Sequence, residues 1–585
     1  MDQKRLFLAI AISVVILLGF QMLLPAPKPV LAPAPVAGAP VGGATAIPVP
    51  SAGSAATTAL GALSSGTASG VPKEVPRLTI AGTRVEGSIS LLGARIDDLV
   101  LKGYREAAKL DAPLVKLLEP RSEKQPYYIQ LGWSAEAGAT VKLPGNDTLW
   151  AGAGLVARDS TALLSWNNGE GLVFEIEVGI DADYMFTLRQ RVRNTSAAAV
   201  ALYPWARIRR DYTPVTAGYY ILHEGMIGIL DARLKETTYD SAKSDGEKKA
   251  GVALEQTGSG GWIGFTDKYW LTALVPDQKS VQTATFRHVK EAGGDRYQVD
   301  FVAKDAVSVA AGGTTETVMH AFAGAKEVHV LDRYETAFNI PSFDKAVDFG
   351  WFYFITKPFF YALDWLYGLT GNFGVAILIF TLFIKGVFFP LANKSYRSMS
   401  KMKLLAPKMT ALREQYKEEP QKLQQAMMEM YRAEKVNPAS GCLPIVIQIP
   451  VFFSLYKVIF TTIEMRHAPF YGWIHDLSDI DPTNVFNLFG LLPFDPGQYS
   501  SFLHLGVWPL IMGVTMWGQM KLNPPPPDPI QAKVFAWMPV LFTFMLASFP
   551  AGLVIYWTWN NLLTIGQQWL IMRQTTLDKP QAARV

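Results

Sequence analysis

The chain has 585 residues and a formal net charge of only +4, which gives no argument for binding nucleic acid. Hydrophobic residues make up 49% of the sequence and charged residues 18%, and the mean hydropathy is +0.15. Ordinary soluble domains carry about 25% charged residues. The deficit lies in residues 350–572, which indicates a membrane-embedded part, whereas residues 77–335 resemble a soluble domain. The single cysteine, Cys442, excludes an intrachain disulfide and a cysteine-based zinc site.

The first 76 residues are predicted to form an anchor, residues 1–24, and a tether, residues 25–76. Positions 6–24 are almost wholly apolar and follow Lys4 and Arg5, and about 20 apolar residues cross a bilayer. The positive flank places the N-terminus in the cytoplasm. A cleaved signal peptide is the alternative, but its apolar region is ordinarily only about 7–15 residues long. The tether is rich in Pro, Ala, Gly, Ser and Thr, which predicts a disordered extracytoplasmic segment.

Residues 77–335 are predicted to form an all-β extracytoplasmic domain. Stretches such as GLVFEIEVGIDADYMFTLRQRVRN alternate apolar and polar residues and break at turn residues, which is typical of a β-sandwich. The run Gly258-Ser259-Gly260-Gly261 suggests a nucleophile turn, but the full motif and a histidine partner are missing, so a hairpin turn is predicted instead. Sandwich domains of this kind bind sugars or peptides, and the sequence leaves the ligand open.

Residues 342–368 are predicted to form an amphipathic helix on the extracytoplasmic membrane surface. Nine aromatic residues lie between Trp351 and Tyr367, and the charged residues Asp348, Lys357 and Asp364 lie before or among them. Tyr and Trp concentrate at the headgroup level of a bilayer, which favours an interfacial helix. An additional spanning helix is the alternative, and the three charges and Pro358 argue against it.

Five further apolar runs are predicted to span the membrane, which makes six spans with the first anchor. They are residues 372–391, 443–463, 503–520, 535–550 and 551–572. The loop 392–441 holds ten Lys and Arg residues, whereas the loop 465–502 holds only Arg466. By the positive-inside rule the first loop is cytoplasmic and the second is extracytoplasmic. Both termini are therefore predicted to be cytoplasmic, with a tail over residues 573–585.

Lys385 is predicted to be the one charge buried in these spans. Placing a charge in a bilayer costs roughly 2.5–3.5 kcal/mol on insertion scales, and the five spans offer no carboxylate. We therefore expect Lys385 to face a wet groove, with Thr381 one turn away on the same helix face. Snorkelling to the nearby cytoplasmic end is the alternative. Polar residues of the other spans are expected to line this groove or to join helices: Gln448, Thr515, Gln519, Thr558, Asn560, Asn561, Thr564 and Gln567.

The cytoplasmic loop 392–441 is predicted to contain a helical hairpin that turns near Glu418-Glu419-Pro420. Lys and Arg mix there with six of the 18 methionines of the chain. Methionine adapts to many apolar partners, which suits a surface that receives varied substrates. Methionine packing in the hairpin's own seam explains the same pattern equally well.

Several classes of function are disfavoured by missing motifs. The spans lack the chain of Asp, Glu or His through which pumps commonly relay protons. The sequence has no GxxxxGK[ST] phosphate loop and no HExxH zinc motif. No catalytic residue, metal or cofactor is therefore predicted. A small-solute transporter stays open as an alternative, although no internal repeat is visible. A cell-envelope enzyme or sugar-binding protein on a membrane anchor is a third alternative, for which five helices are excessive.

Four stretches of the chain resemble the YidC membrane insertase family. They are KMKLLAPKMTALREQY, YRAEKVNPASGCLPIVIQIPVFFSLYKV, EMRHAPFYGWIHDLSDIDP and FPAGLVIYWTWNNLLTIGQQWLI. The similarity is close over residues 342–572, and the anchor, tether and β-domain are similar to the Gram-negative form of the family. The resemblance implies an α-helical polytopic protein of the bacterial inner membrane, with an insertase core of five helices over residues 372–572 and an all-β periplasmic sandwich domain.

The resemblance also implies a mechanism and partners. Five helices surround a hydrophilic groove that is open to the cytoplasm and the lipid, and a basic residue attracts the polar segment that a substrate must translocate. The implied substrates are nascent membrane proteins, and the implied partners are the Sec translocon, the ribosome and membrane lipids. The family acts alone or beside the translocon and consumes no nucleotide.

Position by position, the resemblance makes Lys385 the basic residue of the groove. The predicted groove residues are Lys385, Thr381, Gln448, Tyr556 and Trp557, and the predicted substrate-guiding face consists of Ile449, Pro450 and Phe452. Family members usually have arginine where this chain has Lys385, which keeps the charge but loses the rigid fork of donors. Trp557 stands where tyrosine is common, and residues 485–502 look like an extra periplasmic insertion without a predicted role.

Overall fold

The computed structural model describes residues 75–577 apart from 110, 219–221, 292–293, 417–418, 435–442, 495, 500–502 and 524–528. The predicted anchor, almost all of the predicted tether, Cys442 and most of the predicted C-terminal tail lie outside the described residues. Residues Thr483–Val507 group apart from Ala44–Pro482 and Trp508–Val585, so the two units are described separately.

Strands dominate the described chain from Arg77 to Ala325. Their bounds are β1 Arg77–Ala81, β2 Val85–Ser90, β3 Arg95–Arg105, β4 Leu114–Leu118, β5 Tyr127–Ala135, β6 Ala151–Ala157, β7 Ser160–Asn167, β8 Leu172–Ile180, β9 Met185–Asn194, β10 Val200–Arg210, β11 Gly225–Leu230, β12 Arg233–Thr238, β13 Val252–Ser259, β14 Trp262–Thr266, β15 Trp270–Val275, β16 Val281–Glu291, β17 Gly294–Ala303, β18 Val307–Val309 and β19 Thr314–Ala325.

The strands form two antiparallel sheets. In the first sheet β1, β2 and β3 lead to β4 and β5, and β5 leads through β10, β17 and β16 to β13, while β18 also pairs with β10. The second sheet runs in the order β12–β11–β14–β15–β19–β9–β8–β7–β6. Among the described strands the one parallel pairing places Ile80 of β1 beside Val156 of β6.

Period-two alternation in the sequence builds this domain. In β8 every second side chain from Leu172 to Ile180 is buried, and the intervening ones are half-buried. Successive strand residues point to opposite faces, so this alternation directs Leu172, Phe174 and Ile176 into the core. Burial of one such side chain contributes about 1.5–3 kcal/mol. The two sheets share one continuous hydrophobic core.

The expectation of an all-β domain is wrong in one respect, because two helices lie among the described residues of the domain. Helix α1, Tyr239–Lys248, is capped at its N-terminus by Thr238, whose side chain accepts a hydrogen bond from the Ser241 N–H. Helix α2, Val328–Ala337, follows β19 directly and buries one apolar face. Both helices are 10 residues long, and a short amphipathic helix is stabilised mainly by the surface on which it packs. The domain is therefore mostly β.

The α-helices of the rest of the described chain lie between Tyr353 and Leu577. The helices are α3 Tyr353–Thr370, α4 Phe373–Val387, α5 Phe389–Gln415, α6 Pro420–Ala433, α7 Leu443–Thr461, α8 Val507–Leu522, α9 Pro529–Leu546 and α10 Ala551–Leu577. Gly371 ends α3 in the left-handed region at φ +67° and donates its N–H to the Tyr367 carbonyl oxygen. Asn372 then caps α4 by accepting a hydrogen bond from the Val375 N–H. These two adjacent residues set the boundary between α3 and α4.

Two predicted segments have different limits in the structure. The predicted interfacial helix over 342–368 starts later, because Phe343–Ala346 form a separate 3₁₀ turn and α3 begins at Tyr353. The predicted span 372–391 is not one straight helix, because α4 ends at Val387 and α5 leaves it at 67°. Judged by length and apolarity, no straight helix of the described residues is sufficient to cross a bilayer, and the bent pair formed by α4 with Phe389–Leu405 is sufficient.

Residues Thr483–Val507 form the smaller unit. It contains the 3₁₀ turns Val485–Gly490 and Pro496–Gln498. Asn484 organises it by accepting a hydrogen bond from the Phe486 N–H at 3.0 Å and donating to the Leu503 carbonyl oxygen at 2.8 Å. Leu488 and Phe489 adopt positive φ values of 53° and 60° and are exposed.

Candidate functional site

Lys385 lies in the last turn of α4 and reaches α10. Its Nζ donates a hydrogen bond to Thr564 Oγ1 at 2.8 Å. Thr564 Oγ1 in turn donates to the carbonyl oxygen of Asn560, one turn earlier on α10, at 2.6 Å. Within the described chain no carboxylate lies at ion-pairing distance from Lys385. Its ammonium group is therefore held by a neutral hydroxyl group.

Thr381 and Lys385 do not share a hydrogen bond. Thr381 is buried, and its Oγ1 donates to the Ile377 carbonyl oxygen of its own helix at 2.6 Å. A second contact between α4 and α10 lies nearby, where Trp559 Nε1 donates to the Leu378 carbonyl oxygen at 3.1 Å. Thr381 therefore belongs to the wall of the site, and its hydroxyl group is satisfied within α4.

The other predicted groove residues meet between α7 and α10. Gln448 Nε2 donates to the hydroxyl oxygen of Tyr556. The ring of Phe452 packs edge-on against the ring of Trp557, with 4.7 Å between centroids. Tyr556 and Thr564 are eight residues apart on one helix, which is about 12 Å along its axis. The predicted groove residues thus fall into two groups that α10 connects.

A row of polar side chains follows α10 on either side of Thr564. Asn560 lies four residues before Thr564 and Gln567 three residues after it, on the same side of the helix. Asn560 Oδ1 and Gln567 Nε2 are buried and have no hydrogen-bond partner among the described residues. Asn561 lies on another side of α10 and donates to Thr515 Oγ1 on α8 at 3.3 Å. Only part of the predicted polar set therefore faces the Lys385 site, and the rest joins helices.

The predicted guiding residues of α7 divide between two surfaces. Ile449 is 47% exposed and lies beside Phe453, which is 43% exposed. Pro450 is half-buried inside the helix. Phe452 contacts Trp557 and so forms part of the packing between α7 and α10. The exposed apolar surface of α7 is therefore built around Ile449 and Phe453. Phe452 contributes to it only in part.

The expectation that Lys385 is the only charge buried in the apolar helices is wrong. Lys457 in α7 is 9% exposed, and its Nζ lies 2.8 Å from Asp348 Oδ2. Asp348 Oδ2 also accepts a hydrogen bond from the N–H of His223 in the β-domain at 3.1 Å. Lys457 interrupts the apolar run FSLYKVIF, so the signal was visible in the sequence. Its carboxylate partner lies 109 residues earlier and was not.

Glu464, just after α7, joins that helix to α2 of the β-domain. Its Oε1 accepts a hydrogen bond from the Val328 N–H at 2.9 Å. Glu327, which precedes α2, makes no capping bond with its own side chain, so Glu464 satisfies a free donor of the α2 N-terminus from outside the helix. Burial raises the pKa of Glu464 to about 8, and the negative charges of Glu327 and Asp364 add to the rise.

One group of acidic residues near this junction has the spacing of a metal site, namely Asp332, Glu335 and Asp344. Lys357 of α3 reaches the same group, with Nζ 2.8 Å from Asp332 Oδ1 and in contact with Asp344. The lysine ammonium thus neutralises the carboxylates that a cation would need. These residues form an ion-pair network between α2, the 3₁₀ turn and α3.

Together these contacts define a two-part protein in which a mostly β domain is fixed to a helix set with a polar interior. The family model for a 60Kd inner membrane protein matches residues 365–579, and the model for the YidC periplasmic domain matches residues 77–362. The membrane protein insertase YidC of Granulibacter bethesdensis is 57% identical over 100% of both chains. The membrane protein insertase YidC of Methylorubrum extorquens is 49% identical, and the alignment covers 98% of this chain and 95% of the relative.

A solved structure of an active YidC insertase with its first transmembrane domain resolved is 17% identical, with a TM-score of 0.34. It covers 85% of this chain and 92% of its own. By its sequence relatives and family models, the chain belongs to the YidC family of membrane protein insertases. This confirms the family predicted from the sequence. The family is one of inner-membrane insertases and not of enzymes, and the relatives give the solute-transporter alternative no support.

Proposed function

We propose that this protein inserts membrane proteins through a polar groove between α4, α7 and α10, with Lys385 as its electrostatic attractant. The observation that carries the proposal is the Lys385 ammonium, which bonds to the neutral Thr564 hydroxyl and has no carboxylate in reach among the described residues. A cation held in this way keeps most of its charge available for an incoming acidic segment. Thr381, Gln448, Tyr556 and Trp557 line the groove in this proposal.

The groove lowers the barrier that a polar segment meets. Moving a charged side chain to the centre of a bilayer costs roughly 2.5–3.5 kcal/mol. A wet groove shortens the apolar distance to be crossed, and the buried amide groups of Asn560 and Gln567 supply donors and acceptors along it. Burial of the apolar helix of the substrate, at about 25 cal/mol per Å², then drives release into lipid. Ile449, Pro450 and Phe452 are proposed to guide that helix.

The proposal includes a topology of six spans with both termini in the cytoplasm and residues 77–335 in the periplasm. The asymmetry of Lys and Arg between the loops 392–441 and 465–502 supports it. Helix α3 then lies at the periplasmic membrane surface, where its Phe354 and Trp365 are exposed, as is Trp351 just before the helix. The hairpin of α5 and α6 faces the cytoplasm, where it meets nascent membrane proteins, the ribosome and the Sec translocon, and membrane lipids surround the groove.

The test is insertion into proteoliposomes of a substrate whose translocated tail is acidic. We expect Lys385→Arg to keep the rate, Lys385→Ala to lower it about tenfold and Lys385→Glu to lower it further. Tenfold corresponds to about 1.4 kcal/mol, close to the worth of a hydrogen bond to a charged group.

Two controls separate attraction from general damage. Lys521→Ala removes an exposed lysine from the end of α8 and is expected to leave insertion unchanged. A substrate with a neutral tail is expected to be inserted at similar rates by all the Lys385 variants. Equal rates for all variants with the acidic tail would show that Lys385 attracts nothing.

A further inference from the structure

The β-domain contains a pocket that the proposed insertion mechanism does not use. It has a volume of about 300 Å³ and lies against β5 and β10. Its apolar lining includes Trp133, Trp150 and Trp205, and its polar lining includes Gln130 and Asn146. The volume suits a small molecule with one ring.

Two buried guanidinium groups stand directly behind the polar lining. Arg207, which is 1% exposed, donates at 2.6 Å to both Gln130 Oε1 and Asn146 Oδ1. Arg95, which is 2% exposed, donates to the Leu92 carbonyl oxygen at 2.9 Å and to the Asn146 carbonyl oxygen. The two arginines thus converge on Asn146 and hold the pocket wall in place.

Neither arginine forms an ion pair within the described part of the chain. The acceptors named above are all neutral, and Arg95 Nε is buried without a partner among the described residues. Burial and the like charges of Arg209 and Arg95 lower the pKa of Arg207 to about 10, against the attraction of Tyr128 and Asp300. Removing a cation from water is strongly unfavourable unless an anion compensates its charge. The wall of the pocket therefore carries excess positive charge.

Free hydrogen-bond donors complete the arrangement. Because Arg207 fixes Asn146 Oδ1, the Asn146 Nδ2 group is left to donate on the other side of the amide. Trp205 Nε1 is buried and has no acceptor among the described residues. The one carboxylate of the lining is Glu136, an exposed residue that accepts a hydrogen bond from Tyr203. A positive wall with donors and flat apolar rings matches a carboxylate that carries an apolar body.

We propose that this pocket binds a small organic carboxylate, with its carboxyl group at Asn146 and its apolar body against the tryptophans. The apolar lining disfavours inorganic phosphate, which offers no apolar surface to cover Trp133, Trp150 and Trp205. The site is independent of the Lys385 groove, so the two proposals stand or fall separately.

The test uses the full purified chain in detergent and two probes of the same shape, phenylacetate and its neutral amide phenylacetamide. Binding is measured by saturation-transfer NMR and by titration of the thermal midpoint. We expect phenylacetate to bind at least tenfold more tightly than phenylacetamide. Equal binding of the two probes, or binding of neither, would overturn the proposal.

Asn146→Asp tests the role of the arginines. The new carboxylate is placed to pair with Arg207 and lie beside Arg95, so we expect a higher thermal midpoint and at least tenfold weaker binding of phenylacetate. Asn167→Asp makes the same charge change at an exposed site at the end of β7 and is expected to leave both unchanged. Undiminished binding of phenylacetate by Asn146→Asp would overturn the proposal.

Discussion

Three ionisable residues of the helical region, one buried and two half-buried, differ in what surrounds their charge. Lys457 is paired with the carboxylate of Asp348 at 2.8 Å. Lys385 is bonded to a neutral hydroxyl group. Glu464 accepts one backbone hydrogen bond through Oε1, and its Oε2 has no partner among the described residues. A buried charge with an opposite partner mainly holds the fold together. At a charge without such a partner, protonation or the arrival of an opposite charge changes the free energy of the protein.

At the scale of single residues, we predict that Glu464 makes the stability of the fold depend on pH. Its pKa rises from the usual 4.5 to about 8 on folding, so between pH 5 and pH 8 the folded chain holds a proton that the unfolded chain has lost. The contribution of this group to stability therefore falls as the pH rises through that window. Glu464→Gln keeps the acceptor for the Val328 N–H and removes the titration.

Thermal unfolding of the two proteins in detergent at several pH values measures the effect. We expect the variant to unfold at least about 2 °C higher than the wild type at pH 8, with the difference shrinking toward pH 5. Glu86→Gln, at an exposed position of β2, is the matched control and should follow the wild type. A constant difference at every pH would show that Glu464 does not titrate in this range.

At the scale of elements, α7 links the proposed groove to the β-domain. Its first half carries Gln448 and Phe452, which contact α10. Its second half carries Lys457, which pairs with Asp348, and Glu464 beyond its end caps α2. Gly350, at φ +72°, lets the backbone approach closely, since a Cβ there would lie 2.9 Å from Lys457 Cε. Helix α7 therefore joins the proposed groove to the β-domain through contacts near both of its ends.

We predict that this ion pair is a strong link between the two parts. Lys457→Met should destabilise the fold by about 3 kcal/mol, because it leaves the mostly buried Asp348 carboxylate without its partner. The double variant Lys457→Met with Asp348→Asn should lose less than the sum of the single losses, because the pair acts as a unit.

The unfolding midpoints of the wild type, the two single variants and the double variant measure the coupling between Lys457 and Asp348. The exposed pair of Lys408 with Glu434, at 2.7 Å, provides the comparison, and Lys408→Met is expected to change stability by less than about 0.5 kcal/mol. Strictly additive effects of the Lys457 and Asp348 changes would contradict the link.

At the scale of the whole molecule, the proposed topology assigns the β-domain and the α5–α6 hairpin to opposite sides of the membrane. In a Cys442→Ser background we expect Ser160→Cys, in β7, to react with an impermeant maleimide on intact spheroplasts. Gln421→Cys, in α6, is expected to react only after lysis. Both positions are exposed in the structure, so both should react in detergent. Labelling of Gln421→Cys on intact spheroplasts would contradict the proposed topology.

Much of the organisation is local and was therefore predictable. Period-two alternation predicted the strands of residues 77–335, and helices α7 to α10 each overlap one of the predicted apolar runs. The family motifs predicted the insertase class, which the sequence relatives confirm. The helices α1 and α2 were missed because short helices depend on the surface that covers them. The bend at Phe388 was missed because the sequence stays apolar through it. A hydropathy profile does not report the direction of a helix axis.

By itself the sequence determined which residues are apolar, which segments repeat every two residues, and that a lysine stands at 385 without a carboxylate in the apolar runs. Only the tertiary structure decided the partners. Lys385 meets Thr564, which is 179 residues away, Lys457 meets Asp348, and Arg95 and Arg207 meet at Asn146. Hydropathy and propensity are properties of neighbours in the chain, whereas the energy of a buried charge is set by whichever distant group the fold brings within about 3 Å.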